Sequence, residues 1–390
     1  MRRLPLDYAV RNLGRSHTRL ALAVIGSTLV ALLTLAAGAF VRGMTTSLQS
    51  TGGEHNVIIV GTGSEESVER SEIGARIPGL IGASIQGIQS RGSTSYLSPE
   101  VYVQLIIGPE SDPQRRSLAA VRGVTPTALL VHSGVRLTEG RFPRAGEDEV
   151  MLGAMTHVRL GVPSESIAVG KSLMLEGRPW EIVGTFDASG TIMQAEVWAP
   201  LTDIKEATKR ETISCVVMTL DPDRAEFGDV DYFCRSRIDL ELSAMRESEY
   251  YAGLSRFFAP IRFVAWATAG LIGLGGLFGG LNTMYAAFAA RVREVGMLQS
   301  LGYRRGAVVL SLVQESVIAA SAGGLLACVA GLLVLDGLAV RFSMGAFGLV
   351  VDESVLLVGL GASLVLGIVG ALPPAWKCLT LPIPQALKGV

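Results

Sequence analysis

Apolar and polar residues mix over short distances along most of the chain, but in four places charge disappears. Residues 20–41 are uncharged between Arg19 and Arg42, and residues 263–290 are uncharged between Arg262 and Arg291. Residues 316–335 follow Glu315 and stop before Asp336, and residues 354–376 run between Glu353 and Lys377. Each run reaches the roughly 20 apolar residues that cross a ~30 Å hydrocarbon core, so each predicts a spanning helix. The second run has 28 residues. At about 1.5 Å per residue it is longer than the core needs, which predicts a projecting stalk with Pro260 as its kink or boundary. Its pairs Gly275/Gly279 and Gly276/Gly280, with Asn282 further along, are candidate helix-packing positions, because small residues let helices approach closely.

Between the first two runs the period changes. Residues 56–60 and 101–107 are rich in β-branched residues and read as strands, and residues 173–175, 180–183, 197–199 and 214–220 continue the pattern. Gly177-Arg178-Pro179, Ala188-Ser189-Gly190 and Asp221-Pro222-Asp223 mark turns between them. Residues 147–160 have a helical tendency, and a helix from about Glu247 is expected to run into the second span. The prediction is a membrane protein with four transmembrane helices (1+3) and a large α+β extracytoplasmic domain between the first and second. Residues 1–43 hold an N-terminal interfacial helix and the first span. Residues 44–258 form the outer domain, and residues 259–390 the other spans with a cytoplasmic segment at 291–305. The interfacial helix rests on Leu6, Ala9, Val10 and Leu13, which share one helical face.

Composition agrees with the pattern. The 390 residues are 49% hydrophobic and only 18% charged, against about 25% charged in ordinary soluble proteins, and mean hydropathy is +0.42. The formal net charge of −1 gives no global basic field for nucleic acid. Charge is strongly segregated: residues 43–262 hold 21 of the 34 basic and 29 of the 35 acidic residues. Arginine dominates the flank before the first span and the 291–305 segment, while residues 336–353 hold three acids and Arg341 alone. The Lys/Arg bias therefore predicts both termini in the cytoplasm and residues 43–262 outside. The first run, longer than a signal h-region, reads as a retained anchor, with Ala37-Gly38-Ala39 leaving cleavage open.

Catalytic motifs are missing. His17, His55, His132 and His157 lack zinc spacing, and Gly170-Lys171-Ser172 has Glu165 where a Walker A loop needs glycine. No catalytic, cofactor or metal residues are therefore assigned. Cys215 and Cys234 lie in the outer domain as a candidate disulfide, with two free thiols as the alternative. Glu315 is expected at the membrane boundary, paired with Arg304 or Arg305, rather than on a transport path.

The most specific stretch is Leu281-Asn282-Thr283-Met284 followed by Arg291-Val292-Arg293-Glu294-Val295-Gly296-Met297-Leu298-Gln299-Ser300-Leu301-Gly302. It resembles the inner junction of the FtsX-like permease family, which includes the MacB, LolC/LolE and DevC types. Gly140-Arg141-Phe142, Glu149-Val150-Met151-Leu152-Gly153, Val183-Gly184-Thr185-Phe186 and Val197-Trp198-Ala199-Pro200-Leu201 are similar to outer-domain pieces of that family. The resemblance implies a permease or mechanotransmission subunit of an ABC transporter in a bacterial inner membrane. Its function would be export or extraction of a lipid, lipoprotein or peptide; the alternatives are ATPase-driven control of cell-wall enzymes or a membrane sensor or adaptor. It implies no catalysis on this chain, ATP and Mg being bound by a separate cytoplasmic ATPase. A second permease copy or homologue, membrane lipids and a periplasmic adaptor or enzyme are the other implied partners. The coupling residues are then Arg291, Arg293, Glu294, Val295, Gly296, Leu298, Leu301, Gly302 and Arg304. On physical grounds Val295, Met297, Leu298 and Leu301 are expected to offer an exposed apolar surface, the alternative being a basic loop on lipid head groups.

Overall fold

The computed structural model describes residues 17–342 and 345–380, so the expected interfacial helix at residues 6–13 lies outside the described residues. Two compact units are present. The outer unit comprises residues 43–259 with 339–348, and the membrane unit residues 17–42, 260–338 and the described residues from 349 onward. Helix α1, His17–Gln49, contributes to both, its residues from 43 onward belonging to the outer unit.

The outer unit continues with β1 (Asn56–Gly61), α2 (Ile77–Ser84), β2 (Leu97–Pro109), β3 (Ser117–Val124) and β4 (Arg136–Gly140). Then follow β5 (Glu149–Gly153), α3 (Thr156–Leu160), β6 (Ser172–Leu175), β7 (Arg178–Asp187) and β8 (Val197–Pro200). The remaining elements are α4 (Leu201–Ala207), β9 (Cys215–Thr219), α5 (Phe227–Ser236), β10 (Leu242–Arg246) and α6 (Glu247–Phe257). The strands form one mixed sheet in the order β10-β1-β9-β2-β3-β8-β5-β7-β4, with β6 paired to β2 and β7. Pairing is antiparallel except at β3–β8 and β5–β7.

Both faces of the sheet are covered, and strand period assigns the residues to each. Val57 and Ile59 of β1 join Val216 and Met218 of β9 in a core closed by Ile81, Ile204 and Val230 from α2, α4 and α5. The alternate residues Ile58, Val60, Cys215 and Val217 pack on the opposite face with Val68 and Val131. Burial on both sides is why β1 reads as a continuous apolar run.

Two expectations change here, and one element is added. Residues 147–160 are a strand, β5, followed by the one-turn α3, which stops at Gly161 in the left-handed region at φ +70°. The short apolar run Val150-Met151-Leu152 fits helix or strand by pattern; burial on both sides, Val150 and Leu152 in one core and Met151 in the other, selects the strand. Next, Cys215 and Cys234 are free thiols. They belong to clusters on opposite faces of the sheet, so the candidate disulfide is not formed. Finally, the segment between the third and fourth spans contains a hairpin, β11 (Ala339–Phe342) and β12 (Gly345–Gly348), which packs in the outer unit against α3 and the turn Ile192–Ala195.

The membrane unit adds α7 (Ala259–Ala289), α8 (Val292–Ser300), α9 (Arg305–Ala330, continued by a π turn over Gly331–Leu335) and α10 (Glu353–Thr380). With α1, the helices α7, α9 and α10 are long and apolar enough to cross a membrane. The break before the second span falls at Phe258 rather than Pro260. Pro260 is instead the second residue of α7, where a missing N–H loses no helical hydrogen bond. Helix contacts run through glycines other than most of those expected. A Cβ on Gly323 would strike Ser27 of α1, one on Gly324 would strike Ser363 of α10, and one on Gly367 would strike Ala320 of α9 at 2.8 Å. Of the α7 candidates, Gly276 meets Val30 of α1, whereas Gly275, Gly279 and Gly280 have nothing within 4 Å among the described residues and Asn282 is exposed. Glycine spacing alone does not say which side of a helix a neighbour occupies.

Candidate functional site

The Arg-x-Arg-Glu-Val-Gly stretch folds as the short helix α8 between two spanning helices. Its C-terminus is closed by a pair of backbone bonds, Gly302 N–H to Gln299 O at 3.0 Å and Tyr303 N–H to Leu298 O at 3.2 Å. Gly302 takes the left-handed conformation (φ +85°) that this Schellman cap requires. Leu298 and Tyr303, the residues such a cap brings together, pack with Val292, Val295 and Phe288 in one apolar cluster with Val308 of α9 and Leu379 of α10. The N-terminal side is fixed by Arg291, whose Nη1 donates to both carboxylate oxygens of Glu315 at 3.2 and 2.9 Å. Glu315 therefore pairs with Arg291, not with Arg304 or Arg305. It lies well inside α9, because that helix starts at Arg305, ahead of the uncharged run.

Helical phase divides the expected apolar surface. Val295 and Gly296 are buried and Leu298 is half-buried within the chain's own core. Met297 and Leu301 point outward, the latter 68% exposed. With Arg293, also exposed, they form a stripe at i, i+4 and i+8, while Arg304, exposed too, lies beyond the Gly302 cap at the start of α9. Glu294 is half-buried beside it.

The outer unit contains a second constellation, one with no motif in the sequence. Arg122 sits on β3 with Tyr102 of β2 and Trp198 of β8 directly opposite in register. Its Nε and Nη2 each donate to Glu196 at 2.8 Å, and its Nη1 donates to Glu100 at 2.6 Å. Trp198 Nε1 and Tyr102 Oη also donate to Glu196, at 2.8 and 3.1 Å. His132 Nε2 lies 2.8 Å from Glu100, and its Nδ1 lies 3.6 Å from Glu247. Glu247, the first residue of α6, accepts the Gly53 N–H at 2.7 Å and Asn56 Nδ2 at 2.8 Å. All five charged side chains are 5% exposed or less.

Such charges stay ionised in a core only when each is compensated. Burial favours a neutral Glu100, but the positive charges of His132 and then Arg122 outweigh it and hold the carboxyl down to about 2. Burial likewise opposes a charged His132, yet Glu100 and then Glu247 raise its pKa above the ordinary histidine value. Strand period could have flagged Arg122 as an inward charge, but nothing local links it to Glu196 or His132.

Residues 20–226 match the MacB-like periplasmic core domain, and residues 266–383 match the FtsX-like permease C-terminal domain. The chain belongs to the MacB/FtsX-like family of ABC transporter permeases. The permease is 24% identical over 247 residues to the uncharacterized ABC transporter permease YknZ of Bacillus subtilis (strain 168). That match covers 59% of this chain and 62% of the relative's length. Two solved structures are similar at 11% identity. The periplasmic region of MacB from Actinobacillus actinomycetemcomitans covers 52% of this chain and 93% of its own, with a TM-score of 0.40. The extracellular domain of the noncanonic ABC-type transporter YknZ from Gram-positive bacteria covers 49% of this chain and 100% of its own, with a TM-score of 0.37.

Proposed function

We propose that this permease is the transmission subunit of an ABC transporter, with both termini cytoplasmic in a bacterial inner membrane and α8 as the seat of a separate ATPase that binds ATP and Mg. The observation that carries the reading is the exposed stripe Arg293, Met297 and Leu301 on a helix whose other side is locked to α9 and α10, with exposed Arg304 just past its capped end. Apolar side chains flanked by arginines suit a protein groove with an acidic rim better than phospholipid head groups alone. A helix capped at one end and ion-paired at the other moves as a unit, so force applied to the stripe is passed to the spanning helices. Two copies, or one copy with a homologous permease, would engage two ATPase chains, and the cargo would be a lipid, lipoprotein or peptide taken from the outer side.

The test is Leu301→Glu in the full chain, co-expressed with an ABC ATPase that co-purifies with the wild-type permease. Leu301 is exposed, so membrane insertion should be unchanged, whereas a carboxylate pressed into an apolar groove is unfavourable. Recovery of the ATPase with the permease should fall at least about tenfold, with permease-stimulated ATP hydrolysis falling alongside. Arg293→Ala should cost less, as a rim charge does. Full recovery and full stimulation with Leu301→Glu would favour the lipid-facing reading instead.

A further inference from the structure

The buried charge network forms part of the wall of a cavity of ≈ 850 Å³ whose lining lies entirely within the outer unit. This volume falls in the roughly 300–1,000 Å³ range of drug-sized ligand sites. Tyr102, Arg122, Glu196 and Glu247 belong to its lining, and Met44, Leu48, Val68 and Leu254 give it apolar surface. Seven of the chain's 24 aromatic residues line it, among them Tyr250, Tyr251, Phe257 and Phe347. That concentration is high for a chain with only 6% aromatic residues.

The charge of the lining is one-sided. Six glutamates line the cavity against two arginines. Arg122, Glu196 and Glu247 are already compensated within the network, so the remaining imbalance is Glu65, Glu66, Glu69 and Glu249 against Arg70. Glu65, Glu66 and Glu69 add acid from one short stretch, and Glu249 adds it from α6. Independently, the buried hydroxyl of the lining residue Ser47 has no hydrogen-bond partner among the described residues. Buried polar groups are nearly always satisfied, so such an atom on a lining residue fits a ligand that bonds to it.

We propose that this cavity binds an amphiphilic organic cation, with the cationic centre held by glutamates and aromatic faces and the apolar body against the methionine, leucine and phenylalanine wall. Acid neutralises the charge, and ring faces attract a weakly hydrated cation without requiring directed hydrogen bonds. An anionic amphiphile meets the opposite field, and a neutral one leaves the glutamate charge unused. The inference rests on the transport reading only in taking the bound molecule as cargo; binding itself requires no ATPase.

The experiment uses the full-length permease in lipid nanodiscs and two probes of matched shape and opposite charge, tetraphenylphosphonium and tetraphenylborate. Equilibrium dialysis against empty nanodiscs removes partitioning into lipid. Tetraphenylphosphonium should saturate at one site per chain and tetraphenylborate should not. Glu66→Gln with Glu69→Gln, substitutions at exposed and half-buried positions, should weaken phosphonium binding about tenfold, and Leu301→Glu should leave it unchanged. Ser47→Ala removes a hydroxyl with no protein partner, so loss of binding there without loss of folding reports contact with the ligand. Equal saturable binding of both probes, preference for the borate, or no saturable phosphonium binding would each overturn the proposal. A failure of the ATPase experiment, by contrast, would leave these outcomes untouched.

Discussion

Both units of the permease bury charge, and they do so by opposite designs. In the outer unit Arg122 is held by two glutamates, one of which is shared with a histidine, and a third glutamate closes the group on α6. The side chains come from β2, β3, the helical turn between β3 and β4 that ends at His132, the lead into β8, and the start of α6, so the network ties sheet to helix. In the membrane unit one arginine meets one glutamate, and the pair clips α8 to α9. A network on a rigid sheet fixes the shape of a cavity wall. A single clip beside a short helix fixes only that helix, which suits a part that has to move as a body. The difference also concerns loss: removing one member of a closed network disturbs several buried charges, whereas removing Arg291 takes one contact from Glu315.

The largest effect that would sharpen this contrast is Arg122→Ala. Glu100 and Glu196 would be left buried without their common cation, and breaking a buried pair this way typically costs about 3–5 kcal/mol. Cys215 provides an internal reporter, because it is buried, free and opposite Glu100 in register. Burial, and next the charge of Glu100, also push its thiol pKa well above the ordinary value, so it reacts only when the sheet opens. Labelling of Cys215 in the full chain should accelerate by about two to four powers of ten if opening and closing are fast relative to reaction. Acceleration of less than about threefold would mean that the network contributes nothing to the outer unit's stability.

Second comes pH. Glu100 has a folded pKa below its unfolded one, so its contribution is present above about 4.5 and is lost as pH falls toward about 2. His132 has a raised folded pKa, so its contribution is present below the ordinary value of about 6.5 and is lost as pH rises through the raised one. The two are coupled and titrate as a pair. Stability of the outer unit, followed by Cys215 labelling corrected for thiolate fraction, should therefore be greatest between about pH 4.5 and 6.5. The acid limb reports Glu100 and the alkaline limb His132. His132→Gln should flatten the alkaline limb; an unchanged alkaline limb would remove His132 from the network.

How much of this the sequence discloses depends on whether a residue's role is set locally. Strands β1 and β9 are legible because Val57–Val60 and Val216–Val217 are β-branched and buried on both faces. Strand β3 is not, since Ala119, Ala120, Arg122 and Gly123 have weak strand propensity and are there for tertiary reasons. Gly123, for instance, faces Ile204 so closely that a Cβ would sit 3.1 Å from it. The position of α8 is legible from Arg291 to Gly302, but which apolar residues face out requires the helix phase set by α9 and α10. The network members are separated along the chain and meet only after folding, so only their unusual burial identifies them. The disulfide expectation failed for the same reason: separation along the chain carries no information about sheet face.

The smallest effect concerns the clip. Arg291→Ala removes the nitrogen that donates to both Glu315 oxygens, at a site where both side chains are mostly buried, 11% and 7% exposed. Removing one partner from such a pair costs about 1–3 kcal/mol, less than in the outer network because α8 keeps its Schellman cap and its contacts with Val308 and Leu379. The outer unit should not notice: Cys215 labelling should match the wild type. What should change is the rigidity of α8, read by proteolysis or labelling at a cysteine placed at Ser300, which is exposed on that helix. If coupling requires α8 to act as one body, ATP hydrolysis stimulated by the permease should fall while recovery of the ATPase with the permease stays near wild type, because Met297 and Leu301 are intact. Glu315→Gln should reproduce the effect more weakly, since a neutral amide still accepts from Arg291. Loss of ATPase recovery as large as that of Leu301→Glu would instead show that Arg291 belongs to the docking surface itself and that the division between clip and stripe is wrong.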